Sequence, residues 1–250
     1  MADKPLFNST YNDPSDFLAN HKGQFLEFFS VPNGVSVAFK AYITLFSDRF
    51  ESDWSEEDAF GRMDPISAFK RTKRVISLGW TVIAGSQEEA IENLEKVSLL
   101  KKMLYPTYES LNSGASGIQS SPLFKLRFMN LIQNVSAQGQ TAEVGGLLGR
   151  VGGFSHDVEM EDGFFDILDN NVEKLYPQTI KLQCEYNVLH EHQLGWTNKT
   201  ERNKFDKFPY GDILPGREVS LPDTSEDTGS TLDDGRKRQA AKAILSKGIK

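Results

Sequence analysis

The sequence predicts a mainly β (α+β) protein, an antiparallel β-sandwich or barrel with one flanking helix over about residues 86–104. Three observations lead there. Segments of apolar/polar alternation recur along the chain, and period two is the mark of a strand with one buried face. A single stretch carries the helical stripe together with its capping signals. Strands otherwise follow strands, which favours antiparallel pairing over helical crossovers.

Composition is compatible with that class and excludes others. A chain of 250 residues, 38% hydrophobic and 25% charged, can bury a sizeable core and is not of disordered composition. A net charge of −7 and a pI near 5.2 argue against bulk nucleic-acid binding, which needs a basic footprint. Cys184 has no second cysteine to pair with, so no internal disulfide is expected, and the thiol reads as a small core hydrophobe. No apolar run reaches the length of a membrane span, and "MADKPLFNSTYNDPSD" lacks the basic and apolar regions of a signal peptide. Folding in the cytoplasm is the expectation.

The elements follow in order. Residues 1–34 read as a polar, turn-rich N-terminal arm that ends in "FLEFFSVPNG". In "VSVAFKAYITLF" Val35, Val37, Phe39, Ala41, Ile43 and Leu45 alternate with polar neighbours, giving a long strand. "RFESDWSEEDAFGRMDPIS" reads as a long charged connection, and loops of that length are usually functional or disordered. "RVISLGWTVIAG" places Ile76, Leu78, Trp80 and Val82 on one face of a second strand. Ser86 and Glu89 form a capping box, and the helix they open is acidic at its start and basic at its end, as the macrodipole favours. Its apolar stripe is Ala90, Ile91, Leu94, Val97, Leu100 and Leu104, and Pro106 stops it.

Further along, "PLFKLRFMNLI" reads as a third strand and "GGLLGRVGGFSHDVEMEDGFF" as one or two glycine-hinged strands. The cleanest alternation is in "TIKLQCEYNVLH", where Ile180, Leu182, Cys184, Tyr186 and Val188 face one way. The β domain is expected over residues 35–220. Residues 221–250 form an acidic linker and a basic C-terminal tail, with Arg236, Lys237, Arg238 and Lys242 as its partner-binding candidates.

The search for chemistry returns little. His190 and His192 sit two apart on one side of a strand, but a metal site needs three or four ligands, and His21 and His156 complete the histidines. "GGLLGRVGG" lacks either phosphate-cradling spacing, so its glycines read as hinge positions. Glu159, Glu161, Asp162 and Asp166 supply enough carboxylates for a hydrolase, yet nothing sets one in an apolar and another in a polar setting. No catalytic residue, cofactor or metal is therefore expected.

What stands out is a basic cluster in an acidic protein: Arg62, Lys70, Arg71, Lys73 and Arg74, beside the Asp64-Pro65 turn. Cross-subunit charge pairing sets register and partner choice, so these residues are the candidate inter-subunit contact. The order of the motifs around them carries a resemblance. Phe60-Gly61-Arg62-Met63-Asp64-Pro65, Thr72-Lys73-Arg74-Val75-Ile76, Glu88-Glu89-Ala90-Ile91-Glu92-Asn93-Leu94, Tyr105-Pro106-Thr107-Tyr108 and "SPLFKLRFMNLI" follow one another. That succession resembles the baseplate tail-tube junction and tail-tube initiator proteins of contractile-tailed bacteriophages, marine myoviruses among them. It covers roughly Val35 to Leu189, with Ser121 where the family often has proline.

The resemblance implies a tail-tube-like fold, a hexameric ring of identical copies, and no enzymatic activity. The implied partners are the chain itself, the tail tube protein and other baseplate or hub proteins. Genomic DNA would pass through the lumen without specific binding, and the protein would reside in the virion after assembly in the host cytoplasm. Two relatives of that reading are the main tail tube subunit and a LysM-type hub adaptor. A tail-associated cell-wall hydrolase is the alternative from another class.

Overall fold

A computed structural model describes residues 19, 23–40, 42–58, 60–110, 116–137, 139, 141–169, 172–192, 194 and 208–210, all within the unit Met1–Ile213. The fold is mainly β. Strands β1 (Phe25–Ser30), β2 (Val35–Lys40), β3 (Ile43–Glu57) and β4 (Ile66–Ile83) precede helix α1 (Gln87–Met103). Then come β5 (Thr107–Ser110), β6 (Ser116–Ser120), β7 (Phe124–Phe128), the one-turn helix α2 (Ala142–Gly145), β8 (Leu147–Val158), β9 (Phe164–Asp169), β10 (Val172–Pro177) and β11 (Thr179–Val188).

Seven strands make one antiparallel sheet in the order β2-β1-β7-β8-β11-β4-β3. β2 and β3 lie at its two edges, yet only Ala41 and Tyr42 separate them in sequence. The sheet therefore curls round the core as an incomplete barrel, with β2 and β3 left as its two edges, not paired to each other. Tyr42 extends the β3–β4 ladder, its carbonyl accepting from Thr81 N at 2.9 Å. The interior agrees: Phe28 of β1 and Trp80 of β4 have ring centroids 5.6 Å apart, although three strands stand between them in the sheet. Side chains fill the space inside the curl, so it encloses a packed core.

The core residues are those that alternation points to. Ile76, Leu78, Trp80 and Val82 are buried on β4, and Ile180, Leu182, Cys184 and Tyr186 on β11. The β2–β3 segment departs from its expected single strand. A bulge between Ile43 and Leu45 inserts Thr44, which turns Leu45 out to 42% exposure and brings Phe46 against the core. One extra residue reverses the faces of everything after it. Val35 is also exposed, at the strand's open end. β1 is a further departure: it falls in the stretch expected as an arm, and its Leu26 and Phe28 are fully buried between β2 and β7.

Helix α1 keeps its expected cap, with Glu89 N donating to Ser86 Oγ at 3.2 Å. It buries Ala90, Asn93, Val97, Leu100 and Met103 and packs against β2 and β10. Asn93, a polar residue inside the stripe, donates to Ile83 O at 3.4 Å, and Lys40 pairs with Glu89 at 2.6 Å. The other end of the barrel is tied by Tyr186. Its buried hydroxyl lies 2.8 Å from Phe124 O and 2.7 Å from Leu147 O, bridging β7 and β8 with one shared hydrogen.

Candidate functional site

Residues 49–67 were expected to be a long charged connection; instead Asp48–Glu57 of β3 and Ile66–Arg74 of β4 form a two-stranded arm. β11 stops pairing with β4 at Asn187↔Val75, so Ile66–Arg74 is paired by β3 alone. The ribbon holds its register through cross-strand pairs, Glu51↔Lys73, Asp53↔Arg71 and Trp54↔Phe69. At its end, Asp58 and residues 60–65 belong to the tip, which reverses through Gly61 at φ 81° and Asp64-Pro65. Polar residues on a strand solvated on both sides hide the usual alternation, which is why the segment reads as a connection.

The arm has two unlike faces. One is charged: Arg49 pairs with Glu51 at 2.9 Å, and Asp53 accepts from Arg71 at 3.1 Å with Lys73 at 3.6 Å. The Arg71 hydrogen bond, with Lys73 nearby, holds the Asp53 carboxyl below its ordinary value. The other face continues the side of β4 that carries Ile76 and Leu78 into the core. There Trp54 and Phe69 stack edge to face, centroids 5.2 Å apart, and both are more than half exposed. Phe60 and Met63 at the tip are as exposed as in an extended chain, at 109% and 101%. An apolar strip this open at the end of an ordered ribbon is the mark of an interaction surface.

The base of the arm is locked. Arg74 Nε lies 3.0 and 3.2 Å from the two Asp48 oxygens and its terminal nitrogen 2.7 Å from Oδ2, a bidentate pair with side chains 1% and 3% exposed. Phe50 and Phe208 cover the guanidinium at 5.3 and 5.8 Å, and Tyr210 donates to Asp48 at 3.1 Å. Arg74 is thus withdrawn from the surface and does not join the expected contact set. Arg62 and Asp64 stand exposed at the tip, and Lys70 is the bulged residue of the ribbon, also exposed. Arg71 and Lys73 are exposed but already share Asp53. Arg236, Lys237, Arg238 and Lys242 lie outside the described residues.

Beside the arm's base, His190, His192, Gln133 and Asn134 line a shallow, open cleft with Leu147 and Phe208. His192 bonds Ser136 Oγ at 3.0 Å, and Asn134 donates to Glu191 at 3.0 Å. Burial lowers the His190 pKa, and nearby Arg74 and His192 lower it further. Among the described residues no three histidine, cysteine or acidic side chains converge on a metal position. His156 faces the core side of β8 opposite Leu182, its Nε2 without a hydrogen-bond partner among the described residues, and burial lowers its pKa. His21 lies outside the described residues.

Cys184 is 3% exposed, and burial pushes its thiol pKa up to about 12, so it is an unreactive core residue. Of the carboxylates, Glu159 pairs with Lys181, while Glu161, Asp162 and Asp166 are exposed on the β8–β9 turn and on β9. Gly149 of β8 serves packing. A Cβ on Gly149 would sit 2.5 Å from Asn187 O and 2.7 Å from the Tyr186 ring. Trp54, Phe60, Met63 and Phe69, the apolar part of the site, are not among the residues the charge pattern singles out. Their signal was present as bulky apolar residues within a charged stretch.

No protein-family model matches the chain, and no curated protein matches it. Among the described residues no helix is long and apolar enough to cross a membrane.

Proposed function

We propose that the chain is a non-enzymatic structural protein of a contractile phage-tail baseplate. In this reading six copies close a ring that joins hub to tail tube, templates tube assembly and lets DNA through. The observation that carries it is the exposed two-faced arm on a well-packed, curled β-sheet, with Phe60 and Met63 fully exposed at the arm's tip. The ordered motif succession from Phe60 to Ile132 supplies the class. A ring is the natural sink for such an arm, because head-to-tail contacts satisfy themselves when the rotation closes.

The outer face of the sheet supports the same reading. Lys181, Gln183 and Glu185 of β11 are exposed opposite the core residues, a polar, mixed-charge surface suited to a wet channel. An acidic chain also repels DNA, which must slide without sticking. Arg62, Asp64, Lys70, Arg71 and Lys73 belong to the subunit contact in this proposal.

Electron microscopy of the purified protein is the direct test. Hollow sixfold rings are expected at assembly concentrations. A monomer that cleaves cell wall, and loses that activity on substitution of Glu159, Glu161 or Asp166 with the fold intact, would overturn the proposal in favour of a hydrolase.

A further inference from the structure

We infer that the arm of one copy docks on the acidic ribbon formed by the β8–β9 turn and by β9–β10 of a second copy. The inference rests on the ring reading above and specifies its contact. Burial area favours a protein occupant for the arm. An aromatic side chain buries roughly 150–250 Å²; with Phe60 fully open and Trp54 and Phe69 only half open, these three and Met63 supply at least about half of the ~800 Å² that one partner contributes to a standard interface.

Charge then selects the acceptor. Arg71 and Lys73 are matched within the arm by Asp53, whereas Arg62 and Lys70 have no ion pair among the described residues. On the barrel the converse holds. Glu159 is matched by Lys181, whereas Glu161, Asp162 and Asp166 are exposed with no ion pair among the described residues. The same surface exposes Met160 at 70% and Leu175 at 62%, and Leu175 lies directly opposite Asp166 in the ribbon. Apolar anchors flanked by cations outside any close ion pair thus meet apolar residues flanked by carboxylates outside any close ion pair, with Lys70 felt at longer range by Asp53 and Lys181 by Glu161 and Asp162. Asp58 and Asp64 also flank the tip, so position rather than net charge sets the attraction, with the apolar contact giving most of the affinity. Donor and acceptor are different surfaces of one chain, so the contact is heterologous and propagates until it closes.

The test uses the full chain and sedimentation velocity. The wild type is expected to form a closed oligomer. Reversing the arm charges (Arg62→Glu with Lys70→Glu) or the ribbon charges (Glu161→Lys with Asp162→Lys) should weaken association at least roughly tenfold. A chain carrying both reversals should recover it. An equimolar mixture of the two single-surface variants has complementary charges at every contact between unlike copies and should reassemble into mixed oligomers in which the two variants alternate. Met63→Cys combined with Met160→Cys should cross-link copies under mild oxidation, while buried Cys184 stays out of the reaction. Near-ultraviolet circular dichroism of each variant confirms that the core is intact. Rings that form unchanged with either reversal would overturn the acceptor while leaving the ring reading in place. A closed dimer with the Met63–Met160 cross-link would keep the docking and refute the sixfold ring. A wild-type monomer at every concentration would refute a second copy as the occupant.

Discussion

The Asp48–Arg74 pair offers the sharpest perturbation in the molecule. Asp48→Ala removes both oxygens that accept the three close contacts of 2.7–3.2 Å from Arg74. It leaves a guanidinium 1% exposed between two phenyl rings. Aromatic faces return only about 1–2 kcal/mol to a buried cation. Stranding one member of a buried pair costs about 3–5 kcal/mol, which at 2–4 °C per kcal/mol lowers Tm by roughly 6–20 °C for a chain of this size. The double variant Asp48→Leu with Arg74→Met removes both charges at similar volume, and its stability should lie within about 1 kcal/mol of wild type or above it. Urea unfolding followed by tryptophan fluorescence measures both, since Trp80 is in the core and Trp54 on the arm. The reasoning fails if Asp48→Ala moves the midpoint no more than a surface substitution does. It also fails if the double variant is as damaged as the single one, because shape and not charge would then be the cause.

Gly149→Ala forces a Cβ against Asn187 O and the Tyr186 ring and should cost about 1–3 kcal/mol in the same assay. Gly153→Ala, on the same strand with open space around it, is the control and should be near neutral. For pH, burial holds His156 below its ordinary value in the folded state, so the folded chain binds the proton less well than the unfolded one. That stability is fully present above about 6.5 and declines as pH falls below it. His156→Gln should reduce the decline between pH 7 and 5 and leave the share due to His190, in a window above that of Asp53, whose lowered pKa acts toward lower pH. Cys184 should resist thiol reagents in the native protein and react completely in denaturant, so its labelling rate reports opening of the barrel.

Much of this architecture follows from local patterns. Period-two alternation in Ile76–Val82 and Ile180–Tyr186 specifies two strands and the faces they bury, because a strand against a core must alternate. Ser86, Glu89 and the basic last turn specify the helix, because its end groups are satisfied locally. The basic run from Arg62 to Arg74 is legible as a candidate contact from composition alone. Long-range pairing decided the rest. The bulge at Thr44 turned Leu45 outward, since register depends on the partner strand rather than on the residue. Folding put Asp48, Tyr210 and Phe208 around Arg74 and converted a surface cation into a buried lock, across a sequence separation no local pattern reports. The arm itself is visible only in three dimensions, because a ribbon wet on both faces carries no hydrophobic period. The sequence by itself determined helix α1 and the core faces of β4 and β11, where local alternation and capping suffice. The tertiary structure alone decided that Phe60 and Met63 stand uncovered at the tip of that arm, since exposure is a property of what fails to pack there.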